Sequence, residues 1–215
     1  EEDLLSGLAG AERPDLFVFQ HNWLAKHVNK IAPVDEKVFA ISRLRELFPS
    51  VVEEDFAPDG LVRALPLYID TLSLFYNKDT LDRRGIALPP ADWATFETVA
   101  KKLGLGSVAM GPALNVDRAA DVLSLLMLKD GVTMVNDDFS RATFARAGTA
   151  PLLFYTKFSN PQGGIYVWNN NQPNSVEGFL DGKVGLMFGY RYHARFLERK
   201  NPRLNFEIAA VPQAD

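Results

Sequence analysis

The chain has 215 residues, enough to bury a sizeable core in one large or two small domains, and its 47% hydrophobic and 23% charged residues are those of an ordinary globular protein in water. Its 23 basic and 27 acidic side chains leave a net charge of -4, which removes the electrostatic reason to expect a nucleic-acid partner. The lack of cysteine excludes disulfides, thiolate metal sites and cysteine nucleophiles, and no apolar run approaches the ~18 residues that would insert across a membrane.

The opening residues are mixed and lightly amphipathic. Leu16-Phe17-Val18-Phe19 is then an apolar run of the kind buried strands show, and Asn22 follows as a cap for a helix over Trp23, Leu24 and Val28. Residues 20–23 would thereby stand where a strand's carboxyl end meets a helix, the place where open α/β sheets bind ligands. Val38, Ile41, Leu44 and Phe48 recur at helical spacing until Pro49. Residues 64–69 and 72–76 read as two strands with a single carboxylate, Asp70, between them. A short polar helix over 79–84 closes at Gly85, and Asp92 caps a helix with Trp93, Phe96, Val99 or Ala100, and Leu103 on one face.

Gly104-Leu105-Gly106 leads into a strand over 107–110, and residues 115–117 open a long helix that runs to Gly131. Residues 136–146 are polar and turn-like, and 152–158 are helical or mixed. Five of the twelve asparagines fall in 160–174 with Pro161, Gly163, Gly164 and Pro173, which marks a long loop. Tyr166 and Trp168 within it call for a packing partner or a ligand. Asn174 with Glu177 has the spacing of a capping box, Asp181-Gly182-Lys183 turns into a buried strand over 184–188, and Gly189 opens Tyr190-Arg191-Tyr192-His193 before a helix that stops near Asn201-Pro202. A last strand covers 206–211. The alternation of strand and helix predicts an α/β fold with largely parallel strands.

His21 and His27 lie six apart, His193 is remote and no H-E-x-x-H occurs, so neither a metal nor another cofactor is expected. Gly104-Leu105-Gly106 lacks both the third glycine of a dinucleotide fingerprint and the G-K-[ST] of a P-loop, and no G-x-S-x-G elbow is present. Asp70 could serve as one member of a glycosidase acid pair, but no second carboxylate is convincingly placed. What remains is a set of aromatic and planar polar side chains at predicted strand ends and loops: Trp23, Trp168, Tyr190, Arg191 and Tyr192. Sugars present apolar C–H faces edged by hydroxyls and are held by aromatic stacking with Asp, Asn and Arg hydrogen bonds, so this set fits a saccharide or polyol. Asp70, Asn22 and Asn115 complete the candidate ligand set. Each has a plainer reading: Trp93, Tyr76 and Asn77 suit packing and turns, Trp23 and Trp168 suit packing as well as a ligand, Asp70 suits a cap or a hinge ion pair, and Arg191 and His193 suit a solvated helix start.

The stretch Pro66-Leu67-Tyr68-Ile69-Asp70-Thr71-Leu72-Ser73-Leu74-Phe75-Tyr76-Asn77-Lys78-Asp79 resembles a pattern of the family 1 extracellular solute-binding proteins of ABC importers: Pro, an acidic residue, then L-x-x-x-YNKD. Gly85-Ile86 with Pro89-Pro90-Ala91-Asp92-Trp93 is similar to the family's G-I-x-x-P-P-x-T-W, with Asp92 in place of Thr. The segment from Phe179 through Gly182-Lys183 to Gly189 is similar to F-x-x-G-K-x-A-M-x-x-x-G. The resemblance implies a two-lobed periplasmic-binding-protein-like α/β fold of type II, incomplete at both ends, with 1–69 part of lobe 1, 70–208 lobe 2 and 209–215 the start of a return crossover. It also implies that Asn22 and Trp23 match sugar-touching positions, that Asp70 matches the acidic residue at the crossover, and that Tyr190, Arg191 and Tyr192 match a loop that supplies a stacking platform, with Arg191 where some relatives carry Trp. The function so implied is non-enzymatic: an extracellular or periplasmic receptor, tethered by a lipidated N-terminus preceding Glu1, that closes on a carbohydrate and presents it to ABC transporter permease subunits. A saccharide-processing hydrolase and a ligand-free interaction module are the alternatives.

Overall fold

The computed structural model describes residues 6–7, 14–136 and 140–213. Most of the amphipathic opening, the middle of the 136–146 turn and the last two residues of the 209–215 segment lie outside them. The chain divides into two compact units, Glu1–Ile69 and Asp70–Asp215.

Among its described elements the first unit is helical: α1 (Leu24–His27) between 3-10 turns at His21–Trp23 and Val28–Lys30, then α2 (Ile41–Leu47) and α3 (Ser50–Phe56). Leu44, Val52, Ala57 and Val62 form its core, with Phe39, Ile41 and Phe56 packed against it. The Arg63 guanidinium fastens the end of the unit to its beginning, donating to the Ile31 carbonyl at 2.8 Å and pairing with Asp59 at 2.5 Å.

Three expectations fail here. Residues 16–19 and 64–69 are not strands, and Leu16, Val18, Leu67 and Tyr68 are more than three-quarters exposed. An apolar run signals a capacity for burial, but a strand also needs a neighbour for its N–H and C=O groups, and none of the described residues supplies one. Asn22 does not cap a helix: it lies inside the first 3-10 turn, whose Gln20 cap makes no side-chain bond. Val38 stands outside α2 and is exposed.

The second unit runs β1 (Leu72–Asn77), α4 (Lys78–Arg83), α5 (Trp93–Leu103), β2 (Val108–Ala109), α6 (Ala119–Lys129), α7 (Phe144–Ala147), α8 (Thr149–Thr156), α9 (Ser175–Leu180), β3 (Leu186–Tyr190), α10 (Arg191–Lys200) and β4 (Phe206–Ala209). The sheet order is β2-β3-β1-β4. Successive side chains of each inner strand enter opposite cores, as a two-residue period demands. Leu74, Val108, Leu186 and Phe188 face one core with Trp93 and Phe96 of α5 and Val122 and Leu126 of α6. Phe75, Ala109 and Met187 face the other core with Trp168, Phe179 of α9 and Leu197 of α10. Each large side chain removed from water this way contributes about 1.5–3 kcal/mol.

The caps explain where helices begin. Asp92 accepts from the Thr95 N–H at 2.6 Å, Asn174 from the Val176 N–H at 2.9 Å and Asn77 from the Thr80 N–H at 2.9 Å. The helix expected from 115–117 instead starts at Ala119, because the chain before it is tied elsewhere: the Asp117 N–H donates to Ser175 Oγ at 2.8 Å. The last strand ends at Ala209, short of 211.

The expectation of largely parallel strands is also corrected. Among the four strands of the described sheet, β2 and β3 pair in parallel, whereas β1 is antiparallel to both β3 and β4. Apolar patterning reports that a strand is buried on two faces and is silent about its direction. The connection from β1 to β2 carries two helices, a length that accommodates either sense.

Candidate functional site

Strand direction assembles the site. The register pairs Leu72, the first residue of β1, with Tyr190, the last of β3. The antiparallel start of β1 therefore brings Asp70 to the carboxyl end of β3 and the amino end of α10. There Asp70 Oδ1 accepts from the Arg191 N–H at 2.9 Å and Oδ2 from the Tyr192 N–H at 3.2 Å, while the Thr71 N–H also donates to Oδ1 at 2.9 Å. Asp70 thus caps α10 from a distant part of the sequence, satisfying two of the N–H groups a helix leaves open at its start.

The helix so held presents Tyr190 and Tyr192 with ring centroids 6.2 Å apart and planes 13° from parallel. Tyr192 is 45% exposed. The Tyr190 hydroxyl donates to Asp121 Oδ2 at 3.1 Å, and burial together with the Asp121 charge pushes the phenol up to about 12. Arg118 Nε and Nη2 donate to the Tyr192 hydroxyl at 3.3 and 2.8 Å, a bond that raises the guanidinium's already high pKa. Beneath them lies His193. Its Nδ1 accepts from the Tyr190 N–H at 3.0 Å, which places the ring proton on Nε2, 3.1 Å from Asp117 Oδ2 though off the ideal hydrogen-bond direction. Burial holds the His193 pKa below its ordinary value despite the raising influence of Asp117.

Because β2 runs parallel to β3, the segment after β2 emerges at the same end of the sheet. It carries Pro112, Ala113 and Leu114, which with Ser159, Asn169 and Asn170 line a groove of about 360 Å³, at the lower end of the range for small-ligand sites.

The candidate residues therefore separate. Asp70, Tyr190, Arg191 and Tyr192 converge at one sheet end, with the Arg191 side chain exposed. Trp168 and Asn115 belong to the scaffold. The indole is 0% exposed, so it offers no face for stacking, and its N–H donates to Asn115 Oδ1 at 3.1 Å. Asn115 Nδ2 in turn donates to the carbonyls of Asn169 and Gln172 at 2.9 and 2.8 Å, so the pair pins the asparagine-rich loop. Tyr166 is likewise engaged, accepting from Asn169 at 2.8 Å. Asn22, exposed, and Trp23, half-buried, lie on the 3-10 turn of the first unit. Arg118, Asp117 and Asp121 are absent from the sequence-derived set. Polar residues at the start of a helix carry no signal of their own, and their partners, at the end of β3 and the start of α10, are some seventy residues away. Among the described residues no three His, Asp or Glu side chains gather as a metal site, and no helix is long and apolar enough to cross a membrane.

The bacterial extracellular solute-binding protein family model matches residues 2–215. A binding protein of Brucella abortus (strain 2308) is 22% identical over 219 residues, covering 98% of this chain and 52% of its own. Among solved structures, the sugar-binding protein MalE from Xanthomonas citri superposes with a TM-score of 0.76 at 23% identity, covering 99% of this chain and 56% of that one. An ABC transporter solute-binding protein from Thermotoga lettingae TMO bound with α-D-tagatose gives 0.72 at 20% identity, covering 100% and 57%. These likenesses speak for the fold, and the chain spans about half the length of the curated relatives it matches. With the family model covering it almost from end to end, the chain belongs to the bacterial extracellular solute-binding protein family.

Proposed function

We propose that the chain acts outside the cytoplasmic membrane as the solute-binding component of an ABC importer, that its solute is a carbohydrate, and that it hands this solute to permease subunits while tethered by a lipidated N-terminus. The observation that carries the carbohydrate reading is the pair of near-parallel tyrosines at the sheet end, one of them almost half exposed, edged by the Arg118 guanidinium and by the carboxylates of Asp117 and Asp121. Aromatic faces beside planar polar groups complement the alternating C–H faces and hydroxyls of a sugar ring. Asp70 serves this site as the group that orients the helix bearing the tyrosines, since both its oxygens accept backbone N–H bonds. That arrangement supports binding over glycoside hydrolysis. Arg191 contributes from the same turn, and Asn22 and Trp23 are proposed as ligand-contacting residues of the first unit. The family's extracellular members and the sugar-bound fold relative support the same reading.

The test is isothermal titration of the chain with D-tagatose, maltose and mannobiose, repeated on Tyr192→Ala. One of these sugars binds, and removal of the exposed ring weakens binding by about tenfold, the effect of losing an aromatic contact worth ~1–1.5 kcal/mol. Absence of binding across the panel, or release of reducing sugar from a glycoside, refutes the reading.

A further inference from the structure

Among the described residues Arg118 is the one non-glycine with positive φ, at 59°. A left-handed backbone crowds Cβ against the following carbonyl, and glycine or asparagine occupies it with less strain. Arg118 is also the residue that begins α6, a position favouring Ser, Thr, Asp, Asn or Gly, and its side chain makes no capping bond there. Two local preferences are thus broken at one residue. Strain of this kind persists where the surrounding structure uses the side chain it positions.

What the strained backbone positions is the third corner of a triangle. The guanidinium carbon lies 5.7 Å from the Tyr190 ring centroid and 5.9 Å from that of Tyr192, and the two rings are 6.2 Å apart. Three planar groups are held at near-equal spacing on a half-exposed surface, with the Arg118 side chain 46% exposed. The bonds to the Tyr192 hydroxyl engage Nε and Nη2, so Nη1 lies outside that contact. Asp117 is 3.7 Å from Nε, and the Asp121 carboxylate adjoins through the Tyr190 hydroxyl, so the positive charge already has two negative neighbours. The nearest histidine, His193, adds no balancing charge in its neutral form. A guanidinium in these surroundings is a directional hydrogen-bond donor and a poor receptor for anions.

We propose that Arg118 is a specificity-determining residue of the carbohydrate site: its planar fork donates to the hydroxyls of an uncharged sugar lying against the tyrosines, and the left-handed backbone is retained because it aims the fork there. This rests on the carbohydrate reading above and adds to it a residue and a preference for neutral over anionic sugars.

Arg118→Gly and Arg118→Asn test it, because both relieve or tolerate the left-handed backbone while removing the guanidinium. For each variant and the unaltered chain, the melting temperature without ligand is measured alongside calorimetric affinity for D-tagatose, maltose and mannobiose, with galacturonate and glucose 6-phosphate as anionic probes. The expected result is a melting temperature equal to or above that of the unaltered chain, a loss of about tenfold or more in affinity for the neutral sugar it binds, and no anionic probe bound more tightly than that sugar. Unchanged affinity in either variant overturns the proposal. So does a melting temperature lowered in both variants, which makes Arg118 a structural clamp, or an anionic probe that binds best. If the unaltered chain binds none of the five compounds, the carbohydrate reading itself falls and takes the role of Arg118 with it; binding that substitution leaves intact removes Arg118 alone.

Discussion

Replacing Asp70 with alanine isolates the link between the start of β1 and the amino end of α10. The carboxylate accepts from the Arg191 and Tyr192 N–H groups at 2.9 and 3.2 Å, and its third bond, to the adjacent Thr71, is local. Loss of a helix cap costs about 0.5–2 kcal/mol, and loss of a negative charge at a helix start a further ~0.3–1 kcal/mol. Asp70 is partly exposed, so water recovers some of the two N–H groups it abandons, and the sum settles at about 1–2 kcal/mol. For a chain of this length that corresponds to a fall of about 2–8 °C in melting temperature. Asp70→Asn keeps one acceptor oxygen and falls by about half as much. Thermal unfolding followed by circular dichroism reads both. Affinity for sugar falls too, because Tyr192 is carried on the first turn that Asp70 fixes. If Asp70→Ala melts within about 1 °C of the unaltered chain, the carboxylate does not hold the helix and the reasoning fails.

Three further substitutions probe neighbouring parts of the site. Burial holds His193 below its ordinary value, so the unfolded chain binds more protons than the folded one as pH falls below about 6.5, and stability drops through that window toward the folded pKa. Urea midpoints measured between about pH 7 and pH 5 show this slope, His193→Gln flattens it, and an equal slope in both assigns it to other groups. Trp168→Phe leaves Asn115 Oδ1 without its indole donor and opens a void beneath the asparagine-rich loop; the expected loss is about 1–3 kcal/mol in denaturant unfolding, whereas unchanged stability with weaker sugar binding would return Trp168 to the ligand set. Gly111→Ala places a Cβ 2.7 Å from that of Ser159 at a φ of 121°, and a loss of about 1–3 kcal/mol by the same assay is expected; an unaltered midpoint would mean that this segment shifts without strain.

Patterns that depend on a few neighbouring residues were legible in the sequence. Asp92 with Trp93, Phe96 and Leu103 spells out a capped amphipathic helix, and Asn174 caps its helix as its spacing indicates. The two buried inner strands were legible from their apolar runs, although β3 ends two residues later than expected, at Tyr190. Residues 16–19 and 64–69 are also apolar runs yet form no strand, because pairing requires a partner that a single segment cannot specify. Trp168 shows the limit for side chains. An aromatic in a polar loop fits a ligand platform or a buried anchor equally well, and the indole N–H bond to a residue fifty-three positions away decides between them. Arg118 lay beyond reach for a different reason: its left-handed backbone leaves no local trace, and its contacts with Tyr190 and Tyr192 join residues some seventy positions apart.

The corrected strand direction is what makes a site of these residues. Had β1 run parallel to β3, with Leu72 beside Leu186, Asp70 would stand level with residue 184, about 23 Å from the helix it caps at ~3.3 Å per strand residue. The antiparallel entry instead brings a carboxylate to the carboxyl end of β3, while the parallel pairing of β2 with β3 sends residues 110–118 to the same end. Asp70 then fixes α10 from one side, and Arg118 fixes Tyr192 from the other. Each interaction joins segments more than seventy residues apart and orients the same stretch of chain, so the tyrosine pair is positioned by the fold of the whole second unit. Its geometry should therefore respond to Asp70 and Arg118 substitutions together: a double-mutant cycle on sugar affinity yields a coupling energy of about 0.5 kcal/mol or more, and strict additivity would show that the two sides act independently.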